Sequence, residues 1–523
     1  MAVRVAGVAV IGCGLIGARR AATAAAHPGT VLRVVADTDV ARARDLAERH
    51  GVDWTTDWRQ AVARHDVDAV VVCTPNAYLA PVANAALEDG RHVLIEKPMG
   101  RSVEEAESMA ATAARAGRIL KVGFNHRYHP AITAAGQYLR AGEIGTLVQL
   151  RARYGHGSRP GCEAEWRGNS RMAGGGELLD QGVHVVDLFQ WLAGAPLRVH
   201  AELQTAVWNL APLEDNAFGL LRFAGGVVGQ FHVSMTQWKN LFSFELHGSS
   251  GALVVEGLGG SYGTERLTVV RRNMAGGVPE VEVRDFAGPD ESWSLEWDDF
   301  ATAIHGGRLG HGAPEEGVAV MRTVAALYEA GRTGQAVPVR SPAVFLDRDG
   351  VLNEIVERGG RPGSPREPSE LRLVEDIEVV RDLRAAGYRV FIITNQPDLA
   401  RGLTTHQSVD AMMDAITSRV PVDEYRVCPH DDQDGCACRK PLPGMITELA
   451  QRWNVDPARS WVIGDMWRDV EAARAAGCKS ILIRRPYNDD ARPDHEVGSL
   501  REAVALILFG RVPEQPPLDH AHH

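Results

Sequence analysis

Short apolar runs rich in β-branched residues occur in two separate series along this chain, and helical stretches separate the runs. The first series covers residues 5–125 and includes VAVIG, VLRVVAD and AVVVCTP. The second begins after Pro342 with AVFLD and continues through YRVFIITNQ, SWVIGD and CKSILIRR. Strands that alternate with helices form parallel sheets with helices on both faces. We therefore predict two doubly wound α/β domains in a single chain.

The segment between the two series has a different pattern. Residues 126–340 contain longer runs in which apolar and polar residues alternate, such as LVQLRARYGH, GVVGQFHVSM and FSFELHG. This alternation is typical of an antiparallel sheet with one covered face. We predict an α+β domain with an open, mostly antiparallel sheet. The expected domains are residues 1–125, 126–340 and 341–511, followed by a disordered, Pro- and His-rich tail at 512–523.

The composition is ordinary for a globular protein. Of the 523 residues, 45% are hydrophobic and 24% are charged. No apolar run is long enough to cross a bilayer, and glycine interrupts the N-terminal segment too early for a signal peptide. The formal net charge of −11 argues against general nucleic-acid binding. We expect a cytoplasmic enzyme that acts on small molecules, with neither a membrane nor a nucleic acid as partner.

The turn after the first predicted strand contains three glycines and opens a predicted helix. Glycines at this spacing permit a tight turn and let backbone N–H groups approach a pyrophosphate at the helix N-terminus. Glycine-rich turns are common, but the place of this one, and an aspartate at the end of the next strand, favour a dinucleotide site. The predicted contacts from these two elements are Gly12, Gly14, Leu15, Ile16, Gly17 and Asp37.

Asp37 also predicts which dinucleotide binds. Its carboxylate can accept hydrogen bonds from both ribose hydroxyls of the adenosine. The 2′-phosphate of NADP would face the same carboxylate, and like charges ~4 Å apart repel by up to about 4 kcal/mol. Position 38 is Thr, so no arginine follows that could offset this repulsion. We therefore expect NAD.

Four further motifs follow the glycine turn: TPN at 74–76, EKP at 96–98, GFNHRY at 123–128 and GGGELLDQGVH at 174–184. In this order they resemble the Gfo/Idh/MocA oxidoreductase family over roughly residues 4–340. The resemblance implies a Rossmann domain joined to an open-sheet domain. It also implies oxidation, or reversible reduction, of a ring carbinol in sugars and cyclitols. The further NAD contacts that it implies are Thr74, Pro75, Asn76, Glu96 and Lys97.

Three residues of these motifs are candidates for the chemical step. Hydride transfer to NAD requires a group that removes the hydroxyl proton, and histidine titrates in the useful range. Asp180 and His184 are spaced i,i+4, so on a helix the carboxylate could orient the imidazole and stabilise its charged form. By resemblance, Lys97 completes the trio and polarises the reacting oxygen. Taken singly, these residues fit a surface helix pair and a solvated lysine equally well; the family context favours catalysis.

The resemblance also points to a substrate pocket and to an oligomer. One departure is Leu79, where family members usually carry His, and it affects either cofactor contacts or packing. We expect a homo-oligomer that forms through the open sheet of the middle domain. Each residue at a pocket position of the family fits a packing or surface role as well as it fits a substrate contact. Those residues are Arg127, His156, Trp166, Arg167 and Gln181.

The second α/β series carries polar residues at the ends of its predicted strands. In chain order they are Asp347, Asp349, Thr394, Lys440, Asp465 and Asp469. A site at the carboxyl edge of a parallel sheet requires this placement. An Asp-x-Asp pair alone could be a capped loop, but the four elements together resemble the haloacid dehalogenase (HAD) superfamily.

This second resemblance implies a role for each residue. Asp347 is the nucleophile that forms an aspartyl-phosphate, and Asp349 is the general acid/base, whose backbone carbonyl also ligates Mg²⁺. Thr394 and Lys440 hold the phosphoryl oxygens. Asp465 is the remaining protein ligand of Mg²⁺, and the last aspartate of the series has a supporting position.

A tight cluster of three cysteines and one histidine, Cys428, His430, Cys436 and Cys438, precedes Lys440. Three thiolates and an imidazole suit a closed tetrahedral zinc site. Structural zinc contributes on the order of 10 kcal/mol to local folding, which is enough to fix a short loop beside the phosphate. We expect a structural Zn²⁺ in a reducing compartment rather than a disulfide framework.

The cluster narrows the resemblance to the heptose 1,7-bisphosphate and histidinol-phosphate phosphatase group, which lacks a large cap domain. No cap-sized insertion is visible in the sequence. Arg439 and Asn395 are then candidate substrate contacts. Two departures, Asp431 where a second His is common and Pro397 in place of a small polar residue, leave the substrate open.

The leading hypothesis is a bifunctional enzyme of sugar metabolism. It combines an NAD-dependent dehydrogenase of a ring hydroxyl, on a sugar, sugar phosphate or cyclitol, with a Mg-dependent sugar-phosphate phosphatase. A heptose bisphosphate-like substrate is the first expectation for the phosphatase. The alternative is a working phosphatase whose N-terminal half is a catalytically idle NAD(H) sensor. The presence of Lys97, Asp180 and His184 argues against that alternative.

Overall fold

The computed structural model describes residues 5–488 and 491–510. These residues form two compact units that divide between Val339 and Arg340. The predicted tail at 512–523 lies outside the described residues. Within the described ranges, no helix combines the length and the apolar character that a membrane span needs.

The first unit begins with six strands that alternate with helices. The elements are β1 (Ala6–Ile11), α1 (Leu15–Ala26), β2 (Thr30–Ala36), α2 (Val40–His50), β3 (Asp53–Thr55), α3 (Trp58–Val62), β4 (Ala69–Val72), α4 (Asn76–Glu88), β5 (His92–Glu96), α5 (Val103–Ala116) and β6 (Leu120–Gly123). All six strands are parallel and lie in the order β3-β2-β1-β4-β5-β6. The order reverses between β1 and β4, and in such sheets the carboxyl ends at this point open the dinucleotide crevice.

The local sequence accounts for these elements. All six residues of β1, AGVAVI, are buried, as expected of a central strand that helices cover on both faces. Helix α2 begins at Asp39, whose carboxylate accepts hydrogen bonds from the N–H groups of Ala41 and Arg42. It ends at Gly51, whose φ of 65° is a left-handed conformation that glycine adopts readily.

The rest of the first unit is built on a nine-stranded sheet. Its elements are α6 (Pro130–Arg140), β7 (Leu147–Gly155), α7 (Ser170–Ala173), α8 (Val183–Ala193), β8 (Arg198–Gln204), β9 (Asn216–Arg222), β10 (Val228–Ser234), β11 (Leu241–Gly248), β12 (Gly251–Glu256), β13 (Glu265–Arg271), β14 (Glu280–Phe286), α9 (Ser292–Ile304), α10 (Pro314–Thr333) and β15 (Val337–Pro338). The strand order is β14-β13-β12-β11-β7-β10-β9-β8-β15. Neighbouring strands are antiparallel except β7 and β10, which are parallel.

One face of this sheet is covered and the other is open. Helices α6, α8 and α10 pack against the sheet and bury side chains such as Leu150 and Phe231. On the open face, Phe218 and Leu220 of β9 are exposed. The predicted combination of a Rossmann domain with an open, mostly antiparallel α+β domain is confirmed.

The second unit is a second parallel α/β sheet. Its elements are β16 (Ala343–Leu346), β17 (Val356–Arg358), β18 (Arg361–Gly363), α11 (Val380–Ala385), β19 (Arg389–Asn395), α12 (His406–Arg419), β20 (Glu424–Cys428), α13 (Gly444–Trp453), β21 (Trp461–Gly464), α14 (Trp467–Ala476), β22 (Lys479–Ile483), β23 (His495–Val497) and α15 (Leu500–Phe509). Six strands lie in the order β20-β19-β16-β21-β22-β23, and β17 pairs with β18 as a small hairpin. Between β16 and β19 there is only this hairpin, α11 and short helical turns, so the predicted HAD-like fold without a large cap is confirmed.

Strand ends position the candidate residues in both units. Lys97 directly follows β5, Asp347 directly follows β16, and Asp465 directly follows β21. Thr394 lies at the end of β19. Both candidate sites therefore lie at the carboxyl edges of parallel sheets, where such folds place their ligands.

Candidate active sites

Two glycines of the turn after β1 are packed too closely to accept side chains, and a third faces open space. Gly12 has a φ of 96°, and a Cβ there would lie 2.5 Å from the carbonyl oxygen of Cys73. A Cβ on Gly17 would lie 1.7 Å from the carbonyl oxygen of Gly12, whereas one on Gly14 would meet nothing within 4 Å. Gly14 therefore faces open space at the N-terminus of α1, as a pyrophosphate site requires.

Asp37 is held beside this turn at the end of β2. Its two carboxylate oxygens accept hydrogen bonds from the N–H groups of Cys13, at 2.7 Å, and Asp39, at 2.9 Å. Leu15, the first residue of α1, is 82% exposed, and Ile16 is half-buried. An apolar side chain left open at the crevice suits the surface of a bound dinucleotide.

The other predicted NAD contacts differ in how fully they are engaged. Thr74 Oγ1 is buried without a hydrogen-bond partner, and Pro75 directly precedes α4. Asn76 donates through Nδ2 to the carbonyl of Ala173 at 2.8 Å. Glu96 accepts from Arg20 Nε at 2.7 Å, and Arg20 also forms an ion pair with Glu296. Thr74 thus has an unpaired polar atom, whereas Asn76 and Glu96 are bonded to residues of neighbouring elements. Thr74, Asn76, Glu96 and Arg20 lie on different elements of the first unit.

Lys97 and Asp180 form the centre of the first site. Lys97 Nζ donates to Asp180 Oδ1 and to the Asp180 carbonyl oxygen, both at 2.7 Å. Arg167 Nε donates to the other carboxylate oxygen at 2.9 Å. Burial opposes ionisation of this carboxyl, but the charges and hydrogen bonds of Lys97 and Arg167 outweigh it and lower the pKa of Asp180. Asp180 is therefore a fixed anion that locates the lysine.

His184 does not have the partner that the i,i+4 spacing predicted. The segment Leu178–Gly182 is a π-helical turn, and the Asp180 carboxylate is taken by Lys97 and Arg167. His184 instead stacks on His126, with ring centroids 3.7 Å apart, and its Nδ1 is buried without a partner. Burial and then the charge of Lys97 lower the pKa of His184 well below its ordinary value. The expectation of a stabilised imidazolium is wrong, because a buried ring beside a lysine is held neutral.

Arg127 has a structural position rather than the predicted substrate contact. Its guanidinium is buried and forms ion pairs with Asp187, at 2.5 Å, and Glu316, at 2.5 Å. These two carboxylates, from α8 and α10, occupy the donors that a sugar would need. The predicted substrate contact is therefore wrong, and Arg127 instead links α8 to α10 through its two ion pairs.

The other predicted pocket residues lie around Asp180. Gln181 is half-buried on the π-helical turn, and the Arg167 guanidinium lies 4.4 Å from the ring centroid of Trp166. His156 accepts through Nδ1 from the N–H of Ser158, so its N–H is at Nε2. Nε2 lies 3.9 Å from Glu177 Oε1.

In the second unit, one lysine faces several carboxylates. Lys440 Nζ lies 2.9 Å from Asp347 and 2.6 Å from Asp469, and all three side chains are buried. Asp347, Asp465 and Asp469 can each present an oxygen within 4.8 Å of the others. Burial, and then the neighbouring Asp469, raise the pKa of Asp465 to about 7. Burial likewise raises the pKa of Asp347 despite the opposing charge of Lys440. The cluster carries more negative charge than Lys440 neutralises, so a divalent cation fits it.

Asp349 is held by a separate set of donors. One oxygen accepts from Arg348 and Asn353, and the other accepts from Ser364, at 2.9 Å, and Gln396, at 2.7 Å. Burial opposes ionisation, but the charge of Arg348 and these hydrogen bonds lower the pKa of Asp349. The carboxylate is therefore ionised and is held both by its own loop and by Ser364 and Gln396.

The remaining predicted phosphate contacts support one another. Asn395 donates to the Lys440 carbonyl and accepts from the Lys440 N–H. Thr394 Oγ1 accepts from Gln396 at 2.8 Å. Arg439 is buried and donates to Asp432 and to the His430 carbonyl, so its guanidinium is partly engaged.

The Cys/His cluster converges to one point. The sulfurs of Cys428, Cys436 and Cys438 lie 3.3 to 3.7 Å apart, and His430 Nδ1 lies 3.4 Å from Cys438 and 3.7 Å from Cys428. A tetrahedron with metal–sulfur bonds of about 2.3 Å has edges of about 3.8 Å. The four ligand atoms therefore fit a zinc ion.

The comparisons with known proteins agree with this geometry. Residues 6–124 match the NAD-binding Rossmann fold of the GFO/IDH/MocA oxidoreductases, residues 132–254 match the GFO/IDH/MocA C-terminal domain, and residues 437–503 match the HAD-hydrolase-like family. The chain is 31% identical to the 1,5-anhydro-D-fructose reductase of Ensifer adhaerens, over 58% of this chain and 90% of that protein.

The chain belongs to the Gfo/Idh/MocA oxidoreductases and, in its second unit, to the HAD-like hydrolases.

Two further relatives refine this assignment for each unit. The HAD unit is 46% identical to the D-glycero-β-D-manno-heptose-1,7-bisphosphate 7-phosphatase of Rhodopseudomonas palustris, over 26% of this chain and 81% of that protein. A solved levoglucosan dehydrogenase in complex with NADH and levoglucosan matches with a TM-score of 0.58 and 27% identity, over 64% of this chain and 99% of that one. The chain is thus a sugar dehydrogenase-like oxidoreductase fused to a heptose bisphosphate phosphatase-like HAD unit.

The structure decides the three departures from family pattern. In the Gfo/Idh/MocA unit, Leu79 is fully buried in α4, so it packs in the core. In the HAD unit, Asp431 forms a two-point ion pair with Arg401, at 2.7 Å for both bonds. The carbonyl of Pro397 accepts from the N–H of Arg401. Asp431 and Pro397 therefore shape the loop beside the Cys/His cluster.

Sequence reasoning missed two residues of these sites. In the Gfo/Idh/MocA unit, Glu177 is 1% exposed, and its Oε1 has no hydrogen-bond partner. In the HAD unit, Tyr487 Oη donates to Asp465 Oδ2 at 2.5 Å. Glu177 could have been found as the glutamate of the GGGELLD motif. Tyr487 gave no signal, because its contact depends on the loop after β22.

Proposed function

We propose that the chain is a bifunctional enzyme of sugar metabolism. The first unit oxidises a ring hydroxyl of a sugar, sugar phosphate or cyclitol with NAD, and the second removes phosphate from a sugar phosphate. The observation that carries the proposal is the presence of two separate lysine–carboxylate centres, Lys97 with Asp180 and Lys440 with Asp347. Each lies at the carboxyl edge of its own sheet.

In the dehydrogenase unit, the chain's residues orient the substrate and move its proton. Lys97, fixed by Asp180, donates a hydrogen bond to the reacting oxygen and holds it in place. His184 is held neutral, so its imidazole can accept the hydroxyl proton. The crevice beside Asp37 would hold NAD, which would supply the hydride acceptor. The buried ring stack of His184 on His126 keeps water from the reacting atoms.

In the HAD unit, Asp347 attacks phosphorus and forms an aspartyl-phosphate. Lys440 and Thr394 bind the phosphoryl oxygens, and Lys440 balances part of their charge. Once it is released from its donors and has taken up a proton from solvent, Asp349 gives that proton to the leaving group and then takes one from the water that hydrolyses the aspartyl-phosphate. Asp347, Asp465 and the Asp349 carbonyl would hold Mg²⁺, which would supply charge neutralisation to this site.

Zinc has a structural role in this proposal. Cys428, His430, Cys436 and Cys438 would hold it, and the next two residues are Arg439 and Lys440. Fixing the cluster therefore fixes the phosphate-binding lysine in the loop that follows.

The substrates follow from the relatives rather than from the geometry. The HAD unit's relative acts on a heptose bisphosphate, and we propose a bisphosphorylated heptose or a similar sugar phosphate for this chain. The first unit's relatives are a 1,5-anhydro-D-fructose reductase and a levoglucosan dehydrogenase, and we propose a sugar ring for it. A homo-oligomer through the open sheet is also proposed, because exposed Phe218 and Leu220 would be covered there.

Two assays on the full chain test this function. NADH formation is followed with a panel of sugars, sugar phosphates and cyclitols, and phosphate release is followed with heptose 1,7-bisphosphate, histidinol phosphate and hexose phosphates in Mg²⁺. The proposal predicts turnover in both. Phosphate release that responds to NAD, without oxidation of any sugar, would support the sensor alternative instead. No release from any phosphate would contradict the phosphatase.

A further inference from the structure

Three tryptophans, Trp166, Trp208 and Trp238, form a row that begins near Asp180. Arg167 joins Asp180 to Trp166, because its Nε donates to the carboxylate and its guanidinium lies against the indole. Trp166 and Trp208 pack on the same small apolar cluster, formed by Ala173, Leu210 and Leu213. The Trp208 ring is followed by that of Trp238, with centroids 6.4 Å apart and planes at 53°. The row therefore connects the reacting centre with the surface of the unit.

The last two tryptophans differ in how they are held. Trp208 is half-buried, and its Nε1 donates to the Met235 carbonyl at 3.0 Å. Trp238 is 67% exposed, so its ring adds little to the core. An exposed indole beside an active site is a surface for a ligand rather than for folding.

The backbone at Trp238 is held in a conformation that tryptophan rarely adopts. Its φ is 58°, and Ser158 beside it has a φ of 54°. The only other non-glycine with positive φ in the part of the chain that the structure covers is Asn454, which ends helix α13. Strain without such a structural reason is typical of functional sites.

The loops that carry the two strained residues each form a hydrogen bond with His156. The Ser158 N–H donates to His156 Nδ1, and the Gln237 N–H donates to the His156 carbonyl. The Trp238 Cα would lie 3.2 Å from a Cβ placed on Gly157, so the two loops are in direct contact. The backbone at Trp238 is therefore held close to the loop of His156, whose imidazole faces Glu177.

We propose that Trp238, backed by Trp208, is a binding platform for a second sugar ring. The C–H faces of sugars are apolar and slightly positive, and the indole face is negative, so the two stack. The ring to be oxidised would lie at Lys97 and His184, and its glycosidic neighbour would lie on Trp238. The dehydrogenase substrate is then a glycoside of at least two rings. This inference rests on the proposed function, since it takes the substrate to be a sugar.

The test compares ligands that differ only by the second ring. The full chain with NADH is titrated with methyl glycosides of glucose, galactose, mannose and xylose, and with disaccharides that carry each of these rings at the non-reducing end. Saturation-transfer NMR and calorimetry measure binding without turnover. We expect at least one disaccharide to bind about tenfold more tightly than its methyl glycoside. Trp238→Ala should remove this difference, and Trp238→Phe should retain most of it.

Two controls separate a platform from a structural residue. Trp238→Gly relieves the positive φ, so its thermal midpoint should equal or exceed that of the parent while the preference for the disaccharide is lost. Trp467→Ala removes an exposed tryptophan from the HAD unit and should leave the preference unchanged.

The outcomes distinguish this inference from the function on which it rests. If no disaccharide binds more tightly than its methyl glycoside, or if Trp238→Gly keeps the preference, the platform is wrong even where monosaccharides are oxidised. If disaccharides bind at Trp238 but no sugar reduces NAD, the platform stands and the dehydrogenase proposal fails.

Discussion

The two lysine–carboxylate centres lie at similar positions in their sheets, but cations are in excess at one and anions at the other. Lys97 and Lys440 each precede a proline with a cis peptide bond and each contact an aspartate. Lys97 shares its single aspartate, Asp180, with Arg167, so cations outnumber the anion. Lys440 faces Asp347 and Asp469, with Asp465 nearby, so anions outnumber the cation.

This difference separates the chemistry of the two units. An excess of cations lowers the pKa of Asp180 and fixes a charge that can orient a neutral hydroxyl. Burial and the neighbouring carboxylates raise the pKa values of Asp347 and Asp465, and a divalent cation would offset the excess negative charge. The proposed chemistry would add a hydride acceptor at the first site and a metal ion at the second.

The largest predicted effect comes from the Cys/His cluster of the HAD unit, the proposed zinc site. Cys438→Ser should lose most of the roughly 10 kcal/mol that zinc gives to local folding. Phosphate release should fall by at least 100-fold because Lys440 is displaced, while NADH formation persists. Cys478→Ser, at a buried cysteine outside the cluster, is the matched control. Equal zinc content in the Cys438→Ser protein, measured by atomic emission, would contradict the assignment.

The next effect concerns the ion pair of Arg127 in the first unit. Arg127→Met leaves Asp187 buried without its partner, which typically costs about 3–5 kcal/mol. Calorimetry should show a lower unfolding temperature for this unit, with the Michaelis constant for sugar nearly unchanged in the folded protein. A large rise in that constant without loss of stability would restore the substrate role.

The charge balance predicts that two Asp→Asn substitutions, one in each unit, have opposite effects on the stability of the metal-free protein. Asp180→Asn should destabilise the first unit by about 1–2 kcal/mol, since it leaves Lys97 and Arg167 unpaired. Asp465→Asn should stabilise the second unit by about 1 kcal/mol, since it removes repulsion between carboxylates. Calorimetric scans in EDTA measure both effects, and the same sign for the two would break the comparison.

The Asp180 effect should also depend on pH. The folded-state pKa of Asp180 is lowered, so its stabilisation is present above the unfolded value of about 3.9 and is lost as pH falls through the folded value. The stability difference between the parent and Asp180→Asn should therefore be full at pH 7 and narrow below about pH 4. Urea titrations at several pH values test this, and a difference that grows in acid would contradict it.

The smallest predicted effect refines the metal site. Tyr487 holds one oxygen of Asp465, so Tyr487→Phe should weaken Mg²⁺ binding by about fivefold, equivalent to one hydrogen bond of about 1 kcal/mol. Calorimetric titration with Mg²⁺ measures the affinity directly. Tyr425→Phe, on strand β20, is the control. An unchanged affinity would show that the tyrosine only packs there.

Site residues could be predicted well from the sequence where each motif directly follows a buried strand. Lys97, Asp347 and Asp465 follow buried strands, and the carboxyl ends of parallel strands meet at one edge, so their convergence could be foreseen. The partners of Arg127 could not be, because Asp187 and Glu316 lie on helices distant in the chain.

Local geometry explains the other limits of sequence reasoning. The i,i+4 spacing assumed an α-helix, but Leu178–Gly182 is a π-helical turn in which Asp180 bonds to Lys97 and Arg167. Backbone strain at Trp238 has no sequence signature either, since it depends on the contact between two loops. Such features appear only once tertiary packing is known.

The most direct test of two independent centres is a reciprocal assay on one preparation. NADH formation and phosphate release are measured for the parent, Lys97→Met and Asp347→Asn, each checked for an unchanged thermal midpoint. The account predicts that Lys97→Met loses at least about 100-fold of oxidation and keeps phosphate release within about twofold. Asp347→Asn should lose at least about 1,000-fold of phosphate release and keep oxidation. Loss of both activities in either variant, or of neither, would contradict it.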